Sequence, residues 1–200
     1  MATFIGPKRK LSRREGVALF PKDIKALERK GVVVPGQHGV RTRRKTSEYL
    51  TQLRAKQRAK RIYGILEKQF KKYFKMASLV RGATSQALLQ LLEGRLDNIV
   101  YRLGFAQTRA QARQFVTHGH IKLDDKKATI PSIQVKVGST IALQSSLMDN
   151  IQVKKSLQIQ ETLPGWLERK ATVGKVLRNP DREEMEQAID EQLIVEYYSR

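Results

Sequence analysis

The chain has 200 residues, of which 40% are hydrophobic, and a formal net charge of +20 from 39 Lys plus Arg against 19 Asp plus Glu, with no cysteine. Such a chain suits one generous domain or two small ones with a modest core, and the lack of cysteine excludes disulfide scaffolds and thiolate metal sites. No stretch nears the roughly 18 consecutive apolar residues of a spanning helix, and Met1 to Pro7 lack a signal peptide's apolar run, so an intracellular, water-exposed protein without membrane partner or cofactor is expected.

The first 81 residues carry 23 Lys plus Arg against 5 Asp plus Glu, whereas the rest is nearly balanced. A field of one sign on this scale draws a protein toward phosphate, with binding that weakens as salt rises. Within this half, residues 1–45 are punctuated by Gly6-Pro7, Gly16, Pro21, Gly31 and Pro35-Gly36, which predicts a loop-rich basic arm with one or two short helices, chiefly Pro21 to Lys30. Lys8, Lys10, Arg13, Arg14, Arg41, Arg43, Arg44 and Lys45 have few carboxylates near them in sequence. The arm is expected to be poorly ordered until it meets its partner, the alternative being a solvated tail that aids solubility.

Ser47 is the predicted N-cap of a helix to about Tyr63, and a second helix follows Gly64 to about Val80. Arg54, Arg58 and Arg61 recur at i, i+4 and i+7 and share one helix face, a self-repelling row that is easier to tolerate with an anion against it. Another helix begins near Ser85, its leucines pointing to core. Leu96, Ile99, Val100 and Leu103 predict a short amphipathic helix stopped by Gly104, and Thr108 with Gln111 caps the next one. Arg109, Arg113 and Thr117 lie four apart beside its apolar arc. Strands are predicted at 121–123, 128–130, 133–137 and 140–143. From residue 156 the sequence is helix-compatible, with seven acids against one Arg between Asp181 and Glu196, a reversal that pairs with the basic half or docks another protein.

The fold class expected is therefore α+β: a loop-rich basic N-terminal arm (1–45), a helical domain (46–92, completed by 156–200), and an inserted small module (93–155) of two helices packed on a small antiparallel sheet. Enzyme chemistry has no support among the residues. His118 and His120, spaced i, i+2, lack further zinc ligands, and no nucleophile elbow or phosphate-cradling glycine loop of an NTPase occurs. These histidines either contact RNA at the end of the Arg109 helix or serve a structural role. Gly94-Arg95-Leu96-Asp97 resembles the string around the catalytic aspartate of pseudouridine synthases, but Asn98-Ile99-Val100-Tyr101 lacks the turn that follows it there. Asp97 reads instead as a helix-start carboxylate near Arg95 and the helix dipole.

Longer strings are more specific: Gly6-Pro7-Lys8, Leu11 to Gly16, Pro35-Gly36-Gln37-His38-Gly39, Arg61-Ile62-Tyr63-Gly64, Leu91 to Gly104, Thr108-Arg109, Ala112-Arg113-Gln114, His118 to Ile121 and Leu193 to Tyr198. Together they closely resemble the bacterial small-subunit ribosomal protein S-four family, from the first residues to the last. The resemblance implies a non-enzymatic cytoplasmic ribosome component that binds a helical junction in the 5′ domain of small-subunit rRNA and nucleates assembly. It also implies that the inserted module (93–155) is RNA-binding, contact with protein S-five, a place beside the mRNA entry channel, and a part in translational accuracy. Carried over, Arg109, Arg113, Gln114, His118 and Lys122, with Arg95 and His120, form the module's RNA face. Arg54, Lys56, Arg58, Lys60 and Arg61 form a second, and Arg41, Arg43, Arg44 and Lys45, just after the His38 string, lie near entering mRNA. Lys8, Lys10, Arg13, Arg14 and His38 join them from the arm as expected RNA-binding residues. Replacing Arg109 and Arg113 by Ala is expected to shallow the salt dependence of binding by about one to two units, at roughly 0.7–0.9 per phosphate. Some family members order the arm with zinc held by cysteines, which this chain lacks, so RNA and packing are expected to order it. Asp124-Asp125-Lys126-Lys127 stands where many relatives turn on Asn-Gly or Asp-Gly.

Overall fold

The computed structural model describes residues 6–31, 33–39, 46–80, 82–148, 150–158 and 163–199. The chain is α+β. In order, its elements are α1 (Lys8–Glu15), α2 (Ile24–Lys30), α3 (Glu48–Ile62), α4 (Glu67–Ser78), α5 (Thr84–Glu93), α6 (Leu96–Arg102), α7 (Arg109–Thr117), β1 (Ile121–Leu123), β2 (Lys126–Ala128), β3 (Thr140–Leu143), α8 (Ile151–Gln158), β4 (Leu167–Lys170), β5 (Val173–Val176) and α9 (Glu191–Ser199). They divide into two compact units, Met1–Leu88 with Gln187–Arg200, and Leu89–Glu186.

In the first unit α3 begins as its sequence predicts, with the Ser47 hydroxyl accepting the Leu50 amide at 3.3 Å. Its buried Ala55 and Ala59 are small enough for α9 to lie close, Ile62 is buried as well, and Ile194 of α9 is fully buried. Phe70, Tyr73 and Ala77 form the inward face of α4. The arm is more regular than expected. Lys8–Glu15 is a helix, closed by Gly16 in the left-handed conformation, and a 3₁₀ turn at Pro21–Asp23 leads into α2. The Ser12 hydroxyl donates to the buried Asp23 carboxylate at 2.5 Å and also accepts the Leu19 amide. Arg13 donates to the Val33 carbonyl at 2.8 Å. A buried hydrogen bond thus joins the helices of the arm, a long-range pairing that neighbours in sequence do not reveal.

In the second unit α6 and α7 pack on one face of a five-stranded antiparallel sheet of order β2-β1-β3-β5-β4. Leu96, Ile99, Val100 and Leu103 from α6 and Ala112, Phe115 and Val116 from α7 meet Ile121, Ile141, Leu143, Val176 and Trp166, all buried. At roughly 1.5–3 kcal/mol for each large apolar side chain, this cluster is the main source of the unit's stability. Thr108 caps α7 by accepting the Gln111 amide at 3.2 Å, and Gly104 at φ 72° ends the α6 turn. The hairpin β1–β2 turns on Asp124 and Asp125 at φ 48° and 63°, the two positive dihedrals of a tight hairpin turn. Asp124 supports this costly conformation by accepting the Thr140 amide at 2.8 Å and the Ser139 hydroxyl at 3.0 Å. The Thr140 amide, followed by the Ser139 and Thr140 hydroxyls, holds its carboxyl below the usual range.

Three expectations change. Residues 133–137 form no strand; Val135 donates to the Gly94 carbonyl, Gln134 to the Leu91 carbonyl, and a single bridge joins Gln134 to Arg95. These bonds tie the segment to the end of α5 and to the turn before α6. The second strand starts at Lys126 rather than residue 128, because the two-residue turn pairs Leu123 with Lys126. The segment after residue 156 is not only helical: β4 and β5 extend the sheet, and only Gln187–Arg200 groups with the helical unit. In β5 the inward positions are Gly174 and Val176, so half of the apolar signal of that strand is a glycine. A Cβ at Gly174 would lie 2.4 and 2.6 Å from the two δ carbons of buried Leu103, so α6 and β5 approach more closely than a side chain permits.

Candidate nucleic-acid interface

The arginine row of α3 meets anions of its own chain. Arg54 reaches the Glu15 carboxylate at 3.2 Å, Arg61 binds the same carboxylate oxygen, and Arg58 donates to the Glu15 carbonyl and the Ala188 carbonyl at 3.2 Å each. Glu15 is buried. Burial pulls the Arg61 pKa down, against the opposing pull of Glu15. On the next face Lys56, also buried, donates to Glu67 at 2.9 Å and lies 4.3 Å from the centre of the Tyr197 ring, while Lys60 reaches Glu67 at 3.0 Å. Tyr198 adds its hydroxyl to Glu67 at 2.9 Å. Burial works against the ionised Glu67, yet the bonds from Lys56, Lys60 and Tyr198 prevail and hold its carboxyl at about 2. Burial and the Glu67 carboxylate both push the Tyr198 hydroxyl up, keeping it a donor.

The module shows a similar division of labour. Arg95 is buried and clamps Asp97 with bonds of 3.0 and 2.7 Å, and Arg113 approaches Asp97 at 3.6 Å. Arg109 donates to Asn98 at 2.9 Å and Glu186 at 2.9 Å, with its guanidinium 4.6 Å from the Tyr101 ring centre. Buried Glu93 receives Asn98 at 2.6 Å and both arms of Arg102. Arg109 and Arg113 are thus half-buried members of a network joining α6, α7 and the chain before α9. Their expected share of the salt slope competes with these internal bonds. Gln114, His118 and Lys122 are exposed, and His120 is half-buried with its ring 6.2 Å from that of His118. In the arm Lys8, Lys10, Arg14 and His38 are exposed; Lys8 lies over the Phe20 ring at 5.3 Å, and Arg13 is half-buried. Arg41, Arg43, Arg44 and Lys45 lie outside the described residues.

One basic surface escaped the sequence reading. Lys68, Lys71, Lys72 and Lys75 of α4 are all exposed, opposite buried Phe70, Tyr73 and Ala77. Their i, i+3, i+4, i+7 spacing was legible, but the apolar residues at 66, 70, 73 and 74 directed attention to packing. Lysines at this spacing form a single edge about two turns long, suited to a line of phosphates. Among the described residues no group of three or more His, Asp or Glu is placed to hold a metal ion, and no helix is long and apolar enough to cross a membrane.

Residues 3–93 match the family described as ribosomal protein S4/S9 N-terminal domain, and residues 94–141 match the S4 domain. Over the full length of both chains, this sequence is 50% identical to the small ribosomal subunit protein uS4 of Dictyoglomus turgidum and 48% identical to uS4A of Symbiobacterium thermophilum. The uS4 of Trichlorobacter lovleyi is 50% identical, again over both full lengths.

Proposed function

We propose, for a chain that belongs to the ribosomal protein S4 family, that it binds a helical junction in the 5′ domain of small-subunit rRNA as an early step of subunit assembly. The coarser role follows from membership: a structural, non-enzymatic component of the small subunit of the cytoplasmic ribosome that binds rRNA. The finer reading includes contact with protein S-five, a position near the mRNA entry channel, and an influence on translational accuracy. The observation that carries it is the full-length likeness to uS4 together with exposed cations on the module and on α4.

Phosphate contacts supply most of the affinity, and shape supplies the choice of junction. Exposed Gln114, His118 and Lys122 meet RNA directly. Arg109 and Arg113 contribute positive charge from half-buried guanidiniums that Asn98, Glu186 and Asp97 hold in place. Such anchoring fixes the direction of the charge before RNA arrives, which lowers the ordering cost of binding. Asp97 itself is buried and clamped by Arg95, an arrangement for positioning a helix start rather than for attacking a base.

The test is binding of the purified chain to the isolated 5′ domain of small-subunit rRNA and to an unrelated folded RNA across a salt series. Preference for the 5′ domain that survives moderate salt is expected. Equal, salt-fragile binding to both would sink the junction-specific reading and leave a general RNA-coating protein.

A further inference from the structure

The sheet of the second unit has a face turned away from its core, and the register gathers lysines there from segments far apart in sequence. Lys127 of β2 pairs with Lys122 of β1, Lys122 with Ala142 of β3, Ala142 with Val173 of β5, and Val173 with Lys170 of β4. Residues paired in this way project to the same side, so one row crosses all five strands. Beside it Lys175 pairs with Thr140 and Glu168. The alternate positions, Ile121, Ile141, Val176 and Leu167, are buried against the helices. All four lysines are exposed. Glu168, the acid in these rows, holds Lys170 at 3.0 Å on a side chain that is 84% exposed. Among the described residues Lys122, Lys127 and Lys175 make no ion pair.

Two features point to a polyanion. Directly opposed like charges, as in Lys122 and Lys127, cost a few tenths of a kcal/mol, an expense that an anion across both would remove. The lysines also stand in two groups around a low floor of Ala142 and Val173. With strands about 4.8 Å apart and about 3.4 Å per residue along each, Lys122 and Lys175 are separated by two spacings and two residues, about 12 Å, and Lys127 and Lys170 by four spacings, about 19 Å. The floor lacks the buried aromatic and aliphatic anchors of a protein interface.

Resting on the RNA-binding reading above, we propose that the open face of the sheet is a second RNA surface, lying across the wide, shallow minor groove of an A-form helix. Lys122 and Lys127 meet the phosphates of one strand, and Lys170 and Lys175 those of the other. Lys170 and Lys175 lie beyond residues 94–141, the extent of the S4 domain match, so the added strands β4 and β5 widen the binding surface of the module.

The test compares the full chain with the Lys170→Ala/Lys175→Ala variant, binding the isolated 5′ domain RNA and a plain RNA duplex across a salt series, with urea midpoints confirming that both are folded. The double variant is expected to shallow the log K against log salt slope by about 1.4–1.8 units, from two lost phosphate contacts, and Lys170→Arg/Lys175→Arg to restore it. An unchanged slope while the parent chain binds the 5′ domain normally overturns this proposal and leaves the RNA reading intact. An unchanged slope with weakened co-sedimentation on small subunits overturns it in favour of an acidic protein partner. If the parent chain binds neither RNA, the RNA reading itself fails and this proposal falls with it.

Discussion

Glu15 is a single acid in a run of cations, and the structure places it under the three arginines of α3. The anion that the arginine spacing calls for comes from within the same chain. Glu15→Gln keeps the shape but leaves Arg54 and Arg61 without a counter-charge; because both arginines are partly exposed, the expected loss is about 2–3 kcal/mol, below the range for a fully buried pair. Urea unfolding measures it, and a loss under about 0.5 kcal/mol would mean water already screens the cluster. Glu67 gives a pH-dependent counterpart. Its folded pKa of about 2 lies below the ordinary carboxyl value near 4.3, so its contribution is fully present above about pH 5 and is lost as pH falls toward 2. With its side chain 45% exposed, solvent screening keeps that contribution to about 1 kcal/mol. The stability gap between the parent chain and Glu67→Gln should therefore narrow steadily between pH 5 and pH 2.5; a constant gap would show that the carboxyl titrates normally. Of these residues, the arginine row was legible from spacing. Its partner was not, since 39 or more positions separate Glu15 from the arginines it binds.

Among the elements, α4 separates its functions most cleanly: Phe70, Tyr73 and Ala77 hold it to the unit and Lys68, Lys71, Lys72 and Lys75 face solvent. Replacing the four lysines by Ala removes charge without touching the buried face and slightly favours helix. If each meets a phosphate, the salt slope of rRNA binding falls by about 3 units, with the urea midpoint kept or raised. No change in slope would mark the stripe as solvated surface alone. The helices α3, α6 and α7 could be read in advance because capping residues and 3.6-residue periodicity are local signals. Strands β4 and β5 could not. Each has four residues, and where the core side would show an apolar residue β4 has Arg169 and β5 has Gly174, so neither strand shows the full alternation that marks one.

For the whole molecule, α9 returns to the unit that holds the N-terminal helices, after 98 residues that form the other unit. Ile189 and Ile194 are buried, Glu196 accepts from Gln52 at 2.9 Å, and Tyr198 stacks on Phe74 with ring centres 4.5 Å apart. Ending the chain at Glu186 removes these contacts, and two buried isoleucines alone are worth about 3–6 kcal/mol. Amide exchange in α3 and α4 of the shortened chain should accelerate by at least a hundredfold, while the sheet amides keep their protection. Equal acceleration in both units would show that they unfold as one cooperative body.

The basic half, the capped helices and the α+β class were determined by sequence alone, because charge density, capping and periodicity act within a few residues, and the family by the likeness of its strings to known relatives along the whole chain. The tertiary structure decided which cations face inward. It set Glu15 beneath Arg54, Arg58 and Arg61, Glu67 beside Lys56 and Lys60, and Asn98 and Glu186 beside Arg109, and it drew lysines from four strands onto one face of the sheet. The reason is electrostatic: a cation's role depends on the nearest anion in space, and in this fold that anion often lies tens of residues away along the chain.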